Sequence, residues 1–407
     1  MKNTLLPPRL AAIPPEHYDE YRLRTIFDAY KWDPQVGDRN TLSHHAVMLA
    51  PDTAQQLSDW AEQLSRETVR LENALHADPK AAKTLSLSPR LLRELRKSDV
   101  SPSERNLRLM RFDFHPTTDG WAVSEVNSDV PGGLAEASIL PHLAAQYFPN
   151  AQPAVSFADV FTDALSAKAE RGRIALIHAT AYSDDRQVMQ FLGDRLQAVG
   201  FEPIFAAPDH ITWSDRRAFC ELDGKRVALN ALIRFFPLEW LTNLPRNTAW
   251  QGFFDTVTPS CNHPVAIYAQ SKRLPFVWDA LGVYAPTWRQ LLPQTVDVRN
   301  VDRDDERWVL KPAFGRVGEG IAIRGAVSDK EFAKIKKAAK RSPKHWIAQR
   351  KFDSLPLLTE DGTERHLCIG AFTVDSRFAG FYGRISLHRR IDASAQDVPI
   401  LVEAQAH

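Results

Sequence analysis

A strand, a helix and a second strand follow one another from residue 173 to residue 208, and this order constrains the fold more than any other stretch. RIALIHA is a short apolar run typical of a buried strand, SDDRQVMQFLGDRLQAVG is helical and ends in glycine, and FEPIFAAP is again strand-like. VALNALIRFFPLEWL supplies a further strand. The pattern predicts a small doubly wound α/β layer from about residue 172 to residue 240.

A second segment changes to the two-residue period of strands and carries several charged side chains. RNLRLMRFDFHP and GWAVSEVNS are rich in β-branched and aromatic residues and are joined by the turn TTDG, which predicts a hairpin. Glu125 and Asn127 are two residues apart and therefore share a face, and Asp113 on the partner strand is expected opposite them. Arg111 shares the face of Asp113.

Carboxylate and amide oxygens on one face of a hairpin suit Mg²⁺, which takes a few protein ligands and keeps other positions for phosphate and water. Arg111 beside such a site could contact a transferring phosphoryl group. A solvent-facing polar edge is the alternative interpretation of the same residues.

A glycine-rich loop follows a strand in VLKPAFGRVGEGIAIRG and precedes another predicted strand rather than a helix. A P-loop and a dinucleotide fingerprint both need a helix at that point, so neither fits. Gly315, Gly318 and their neighbours instead favour a flap whose backbone N–H groups fold over phosphates. Lys311 would neutralise phosphate charge and Arg316 would offer further donors. A plain hairpin turn with solvated side chains remains the alternative.

Length and charge exclude several classes of function. With 407 residues the chain is expected to build two or three packed lobes, and residues 51–98 are predicted to form two or three helices. The 51 Lys and Arg nearly balance the 50 Asp and Glu, which argues against a nucleic-acid binder. KIKKAAKRSPK is predicted to form the solvent-exposed face of a helix. No stretch is long and apolar enough for a bilayer, and the sparse cysteines favour a cytoplasmic protein.

Together these segments resemble the glutathionylspermidine synthase family of ATP-grasp ligases, whose grasp is circularly permuted. The resemblance covers about residues 104–403, in blocks that keep the family's order. RFDF with EVNSDVPGGLAEAS is similar to its metal segment, RFFPLEWL to its aromatic pre-grasp strand and SKRLPFVW to its first nucleotide lysine block. KPAFGRVGEGI is similar to its phosphate flap, and QRKFDSLP, IGAFTV, GFYGRIS and DVPILVE to its closing strands. Permutation would explain why the metal segment precedes the phosphate lysine.

The resemblance implies a metal set and a catalytic set. Asp113, Glu125 and Asn127 would hold Mg²⁺. The implied catalytic residues are Arg111 at the transferring phosphoryl group, Arg316 in the mobile flap and Arg384 near an acyl-phosphate.

The resemblance also implies a set of ATP contacts, which are Arg111, Lys272, Lys311, Gly315, Gly318 and Gln349. Lys272 and Lys311 would contact the phosphates, and Gln349 would lie at the nucleotide's hinge strand. The spacing of lysine to proline in SKRLP is shifted from the family's usual pattern, so a surface helix lysine remains the alternative for Lys272.

The implied fold is a mixed α/β (α+β) ATP-grasp fold, circularly permuted, with a small doubly wound pre-ATP-grasp domain. We expect a mainly helical N-terminal lobe at residues 1–103 and the metal-binding strands and a helix at 104–170. The pre-ATP-grasp domain would span 171–260 and the nucleotide-binding lobe 261–407. This corresponds to the synthetase part of the family.

The implied function is that of a carboxylate–amine ligase that uses ATP and Mg²⁺ and forms an amide through an acyl-phosphate. Its partners would be a small-molecule or peptide carboxylate and an amine, with no nucleic acid and no membrane. The sequence identifies neither substrate and does not predict an oligomeric state. Two alternatives remain open: a nucleotide-binding pseudo-ligase with a regulatory or scaffold role, and a nucleotide-independent binding module built on the layer at 172–240.

Overall fold

The computed structural model describes residues 5–32, 34–98, 105–315, 320–324 and 326–405. The helices of this part of the chain are α1 (Pro15–Asp28), α2 (Pro51–Ala77), α3 (Pro79–Ala82), α4 (Pro89–Leu95), α5 (Leu134–Ala145), α6 (Phe157–Ser166), α7 (Ser183–Ala198), α8 (Leu238–Leu241), α9 (Ile267–Gln270), α10 (Pro286–Leu291) and α11 (Asp329–Arg341). None of these helices combines the length and the apolar character needed to cross a bilayer.

The strands of the described residues are β1 (Arg9–Ala12), β2 (Gln35–Val36), β3 (Arg39–Asn40), β4 (His45–Leu49), β5 (Leu109–Thr117), β6 (Gly120–Asn127), β7 (Ala151–Pro153), β8 (Arg173–His178), β9 (Glu202–Ala206), β10 (Ile211–Ser214), β11 (Arg217–Leu222), β12 (Lys225–Ala228), β13 (Ala231–Phe235), β14 (Ser260–Cys261), β15 (Thr295–Asp297), β16 (Trp308–Pro312), β17 (Trp346–Arg350), β18 (Leu357–Leu358), β19 (Glu364–Val374), β20 (Arg377–Ser386), β21 (Gln396–Val398) and β22 (Ile400–Glu403). The fold is therefore mixed α/β.

The largest sheet joins two distant parts of the chain. Its order is β21-β20-β19-β5-β6, with antiparallel neighbours, and β18 pairs with β19. Met110, Phe112 and Phe114 alternate along β5 and are fully buried in one hydrophobic cluster with Leu57 and Leu64 of α2. The two-residue period of a strand therefore turns Arg111 and the other polar residues of β5 to the opposite face. The predicted hairpin is confirmed.

Helix α2 supplies the long apolar stripe that covers this sheet. Leu57, Ala61, Leu64, Leu71 and Leu75 recur at steps of three, four and seven residues and are fully buried. Burial of a leucine side chain stabilises a fold by about 1.5–3 kcal/mol. The stripe therefore fixes α2 against the sheet and leaves the polar face of the sheet open.

The predicted βαβ unit is confirmed. Strands β8 and β9, which precede and follow α7 in the chain, pair with each other in parallel. Strands β13 and β14 extend this sheet, in the order β14-β13-β8-β9. Ile174 and Leu176 pack with Met189 and Leu192 of α7, and the opposite face packs in another cluster. Both faces of this parallel layer are buried, as parallel sheets require.

The expectation of one strand in residues 227–241 is wrong in detail. The run is divided between two sheets. Lys225–Ala228 belongs to the antiparallel sheet β10-β11-β12 and Ala231–Phe235 to the parallel sheet, and Asn230 lies between the two strands. The crossover from β9 to β13 is thus antiparallel β structure instead of a helix. The layer is covered by a crossover helix on one face only.

Two further sheets position the site from outside. Strand β22 pairs in parallel with β4 and antiparallel with β7, so the C-terminal strand lies against the N-terminal sheet. Strands β15, β17 and β16 form an antiparallel sheet that carries α11. Phe332, Ile335 and Ala339 of α11 are buried, and the lysines of this helix face outward. This confirms the predicted solvent-exposed helix face.

The strand predicted in GIAIRG is absent from its described residues, 320–324. Ala322 makes an isolated two-way bridge to Leu310, and Gly320 has a φ of 67°, which interrupts an extended run. The segment after the flap is therefore held to β16 at one point only.

Candidate active site

The polar face of the β5–β6 hairpin brings four predicted residues together. Arg111 lies directly opposite Asn127, and Asp113 directly opposite Glu125. The register shifts just after this pair, since Phe114 opposes Val123 and Ser124 is left as the extra residue of a bulge. Bulges of this kind redirect side chains next to functional sites. The expected shared face is therefore present.

Arg111 and Asp113 form a forked contact on this face. Arg111 donates from Nε to Asp113 Oδ1 at 2.7 Å and from Nη2 to Oδ2 at 2.9 Å. Asn127 Nδ2 also donates to Oδ2, at 3.0 Å. Arg111 Nη1 donates to the carbonyl of Gly132 at 2.7 Å. Three of the five N–H donors of Arg111 are accounted for by these contacts within the described residues, which leaves two for a ligand.

Two lysines reach the hairpin from other elements. Lys272 follows α9 and lies 2.9 Å from Glu125 Oε2, and its Nζ also donates to the carbonyl of Gly315 at 3.3 Å. Lys311 on β16 donates to Gln349 Oε1 at 2.7 Å and to the carbonyl of Ser124 at 3.5 Å. Gln349 is held in turn by donating to Thr295 Oγ1 at 3.1 Å. The structure thus assembles the predicted cations around the hairpin.

The electrostatics of this cluster favour an anionic ligand. Burial lowers the pKa of Lys311, Glu125 opposes this and Lys272 adds to it, with a resulting pKa of about 8. Burial would raise the pKa of Glu125, but attraction from Lys272 and Lys311 outweighs it and brings the pKa to about 2. At pH 7 three cations, Arg111 with the two lysines, therefore surround two carboxylates.

Arg384 on β20 adds a further donor. It lies opposite Cys368 of β19 and donates from Nη2 to the carbonyl of Asp392 at 2.5 Å. Its Nε is buried and has no hydrogen-bond partner among the described residues. A buried donor without a partner is costly, so a ligand that accepts from Arg384 would be favoured.

One large cavity connects most of these groups. It has a volume of about 820 Å³ and is lined by Arg111, Asp113, Glu125, Asn127, Lys311, Gln349 and Arg384. Lys272 instead lines a small adjoining cavity of about 30 Å³ together with Glu125 and Gln349. Gly315 lies beside Lys272 through its carbonyl. Arg316 and Gly318 lie outside the described residues.

The oxygen donors of the β5–β6 hairpin decide whether a magnesium ion could bind there. Within the described residues no group of three or more His, Cys, Asp or Glu side chains is arranged to hold a metal. The hairpin offers two carboxylates and the amide of Asn127, whose Nδ2 points to Asp113 and whose carbonyl oxygen remains for a ligand. Hard oxygen donors in this small number fit Mg²⁺ that arrives with phosphate oxygens and water.

Several cavity residues were not predicted. Lys31, Tyr382 and Asp397 line the cavity, and Lys31 bridges Asp397 at 2.6 Å and Glu136 at 2.9 Å. Tyr382 lies within GFYGRIS and Asp397 within DVPILVE, so those blocks were the available signal. Lys31 lies in no recognisable motif, and no local pattern could have found it.

The parallel sheet contributes the other end of the cavity. Asp184 and Asp185 lie in the first turn of α7 and line the cavity with Tyr182 and Trp240. These residues follow the carboxyl ends of β8 and β13, where open α/β sheets bind ligands. The cavity therefore extends from Lys311 to the edge of the parallel sheet.

One solved structure that covers nearly the whole chain shares this architecture. A structure of a glutathione synthetase-like effector from Globodera pallida, in its apo form, has a TM-score of 0.64 and 13% sequence identity, over 96% of this chain and 99% of that one. A γ-glutamylcysteine synthetase-like protein from Methylobacillus flagellatus has a TM-score of 0.38 and 14% identity, over 83% of this chain and 88% of that one. At these identities the first likeness concerns the fold alone. A search of curated proteins finds no significant match.

The sequence profile described as glutathionylspermidine synthase pre-ATP-grasp matches residues 21–403, which is nearly the whole chain. The match includes the hairpin, both lysines, the parallel sheet and the closing strands. On this evidence the chain belongs to the glutathionylspermidine synthase family.

Proposed function

We propose that this protein is an ATP-dependent carboxylate–amine ligase that forms an amide through an acyl-phosphate. The observation that carries the proposal is the meeting of the β5–β6 hairpin with Lys272 and Lys311 at one end of a large cavity. These groups come from separate elements, and together they present oxygen donors for a metal beside cations for phosphates. Membership of the family supports the same reaction class.

The proposed fold is a circularly permuted ATP-grasp. Support comes from the largest sheet, in which the hairpin of β5 and β6 pairs with β19 from much later in the chain. The proposed division keeps a helical lobe at 1–103, metal-binding strands at 104–170, a pre-ATP-grasp layer at 171–260 and a nucleotide lobe at 261–407. Permutation accounts for a metal segment that precedes the phosphate lysine in sequence.

The chain's own residues would bind and align the reactants. Lys272 and Lys311 would neutralise the phosphates of ATP, Gln349 would contact the nucleotide at its hinge strand, and the flap with Gly315, Arg316 and Gly318 would close over it. Bound Mg²⁺, held by Asp113, Glu125 and Asn127, would neutralise phosphate charge. Alignment and charge neutralisation supply most of the rate in such transfers, so no protein nucleophile is required.

Two arginines would act on the reacting groups. The two remaining N–H donors of Arg111 would contact the phosphoryl group as it moves from ATP to the substrate carboxylate. The unpartnered Nε–H of Arg384 would donate a hydrogen bond to an oxygen of the acyl-phosphate. The amine would then attack the acyl carbon, and phosphate would leave with ADP already formed.

ADP release from ATP and Mg²⁺ tests the proposal against a panel of peptides and amino acids crossed with polyamines and other amines. We expect release that needs one acid and one amine together. Glu125→Gln should reduce it by about 100-fold or more, because one hard ligand and one charge are lost. Glu364→Gln is the matched control, since Glu364 is exposed at the start of β19.

Three results would each contradict a part of this proposal. Full turnover in Glu125→Gln would overturn the metal assignment. Silence across the panel with stabilisation by ATP would indicate a nucleotide-binding pseudo-ligase, and the absence of any thermal shift with ATP would favour a binding module on the parallel sheet.

A further inference from the structure

Arg111 lies across three strands in a narrow channel that two glycines keep open. Asp113 of β5, Gly370 of β19 and Tyr382 of β20 are neighbours in register. A Cβ atom on Gly370 would lie 2.6 Å from Arg111 Cδ, so only glycine leaves room for the arginine side chain. The guanidinium can therefore pass over β19 and reach the ring of Tyr382.

The ring of Tyr382 forms the floor beneath Arg111. Arg111 Cζ lies 5.3 Å from the ring centroid, within the range of a cation–π contact. Gly133 has a φ of 91°, and a Cβ atom there would lie 2.7 Å from the ring's Cδ1. The same turn supplies the Gly132 carbonyl that accepts from Arg111 Nη1. The ring and the turn thus restrict the plane of the guanidinium from two sides.

Tyr382 is itself anchored from its hydroxyl end. Its Oη donates to Asp397 Oδ1 at 2.6 Å. Asp397 Oδ2 lies 2.6 Å from Lys31 Nζ, and Lys31 is also 2.9 Å from Glu136 Oε1. The side chain of Asp397 is only 5% exposed and that of Lys31 17%. A charge as buried as Asp397 needs a partner, so Lys31 stabilises the acceptor that holds Tyr382.

We propose that Lys31, Asp397 and Tyr382 form a positioning chain that holds the guanidinium of Arg111 toward the transferring phosphoryl group. The inference rests on the proposed function and adds three positioning residues, one of them from the N-terminal lobe. Its physical basis is geometric. Arg111 has two N–H donors to offer, and their directions depend on the plane of the guanidinium, which the ring fixes.

The prediction is a loss of turnover without a loss of ATP binding. Tyr382→Leu removes the ring face and should lower kcat about tenfold while KM for ATP stays within about twofold, because Arg111 acts on the transferring group. Tyr382→Phe keeps the ring but releases it from Asp397, and a smaller loss of about threefold is expected. Tyr147→Phe is the matched control, because Tyr147 is half-buried, stacks on His17 with ring centroids 5.1 Å apart and does not line the cavity.

A double-mutant cycle identifies the residue through which the chain acts. In the Arg111→Lys background, Tyr382→Leu should have little further effect on kcat, since the guanidinium that it positions is gone. Lys31→Met should reproduce the smaller kcat loss of Tyr382→Phe, since the ring stays in place, and Lys31→Arg should restore most of the activity. If Lys31→Met does not fold, the Tyr382 variants decide the matter.

Binding of ADP with orthovanadate and Mg²⁺, measured by calorimetry, provides a readout that needs no turnover. Tyr382→Leu should weaken this complex about tenfold relative to ADP alone. Equal behaviour of Tyr382→Leu and Tyr147→Phe, or additive effects in the cycle, would overturn the positioning chain while the ligase stands. A wild-type protein that neither releases ADP nor binds ADP with orthovanadate would overturn both. If the wild-type protein releases ADP but does not bind ADP with orthovanadate, the kcat values of the Tyr382 variants and of the double-mutant cycle decide whether the positioning chain exists.

Discussion

Arg108 and Arg111 lie three residues apart, one just before β5 and the other within it, yet their side chains have very different surroundings. Arg108 donates to both carboxylate oxygens of Glu72, at 3.0 and 2.5 Å. Its Nη1 donates to the carbonyls of Leu109 and Ser128 at 2.7 and 2.9 Å, and its Nη2 also reaches Ser128 Oγ. All five donors are used inside the protein, whereas Arg111 lines the cavity and keeps two donors without a partner among the described residues.

The difference separates a structural arginine from a functional one. Both residues form a forked contact with a carboxylate, so the ion pair alone does not distinguish them. The saturated pair of Arg108 and Glu72 is buried between α2, the end of β6 and the segment after β14, and neither residue lines the large cavity. The pair of Arg111 and Asp113 faces about 820 Å³ of open volume. Unused donors beside a cavity are the informative feature.

The largest effect that would test this comparison is expected at Arg108. Arg108→Met leaves Glu72 buried without its cation and should lower the free energy of unfolding by about 3–5 kcal/mol. Chemical denaturation measures the loss, and the folded fraction should keep its nucleotide affinity. A stable Arg108→Met protein with altered ATP binding would reverse the roles assigned to the two arginines.

The next effect concerns Arg111. Arg111→Lys keeps the positive charge but loses the fork, and should reduce ADP formation about 100-fold, or roughly 2.7 kcal/mol of transition-state stabilisation. Stability should change less than in Arg108→Met, because Asn127 still donates to Asp113. Steady-state kinetics and denaturation of the same preparation check both parts. An Arg111→Lys variant that is mainly unstable would make Arg111 structural.

A third prediction uses the pH dependence of Lys311. Its folded pKa of about 8 is below the ordinary lysine value, so folding disfavours its charged form. The resulting cost to stability is full below about pH 8 and is relieved as the pH rises toward the unfolded value of about 10.4. ATP affinity should change in the opposite sense, because phosphates favour the protonated amine: it should fall by up to about tenfold per pH unit above pH 8.

The groups that face Lys311 set the controls for this titration. Glu125, Asp113, Lys272 and Cys368 all act on its amine. Lys311→Arg should flatten the affinity profile between pH 7 and 9.5, since arginine stays protonated there. An unchanged slope in Lys311→Arg, measured by calorimetry, would assign the pH dependence to another group.

The smallest effect is expected from Mg²⁺ alone. Three cations face two carboxylates in the cluster, so a bare divalent cation should give almost no shift of Tm, whereas ATP with Mg²⁺ should stabilise by about 2.7 kcal/mol at 100 times Kd. Thermal scans with Mg²⁺, with ATP and EDTA, and with both measure this. A strong shift with Mg²⁺ alone would show a preformed metal site and contradict the view that the metal arrives with the nucleotide.

Local sequence was sufficient for the hairpin and for the βαβ unit. The alternation of Arg111, Phe112 and Asp113 predicts opposite faces because a strand repeats every two residues. The predicted meeting of Asp113 with Glu125 depended on a short turn, which limits the possible registers. The bulge at Ser124 was not predicted, since one extra residue leaves no mark in the alternation of such a short segment.

Other predictions failed where packing outweighs local preference. The residues of GIAIRG have strand propensity, but Gly320 turns the chain, and residues 320–324 form only isolated bridges, from Ala322 to Leu310 and from Arg324 to Val327. The run at 227–241 was divided between two sheets. Propensity describes a residue's fit to a pleated surface, and the neighbouring strands decide whether that surface exists.

By itself the sequence determined the local chemistry of this protein: the polar hairpin face, the glycine loop after Lys311 and the order of the family's blocks. These are set by spacing along a few residues of chain, which periodicity and turn residues encode. Only the tertiary structure decided that Lys272 meets Glu125, that Arg108 is saturated while Arg111 is not, and that Lys31 reaches Asp397 near the other end of the chain. The reason is physical, because contacts between distant residues depend on how whole elements pack, and no local pattern records that packing.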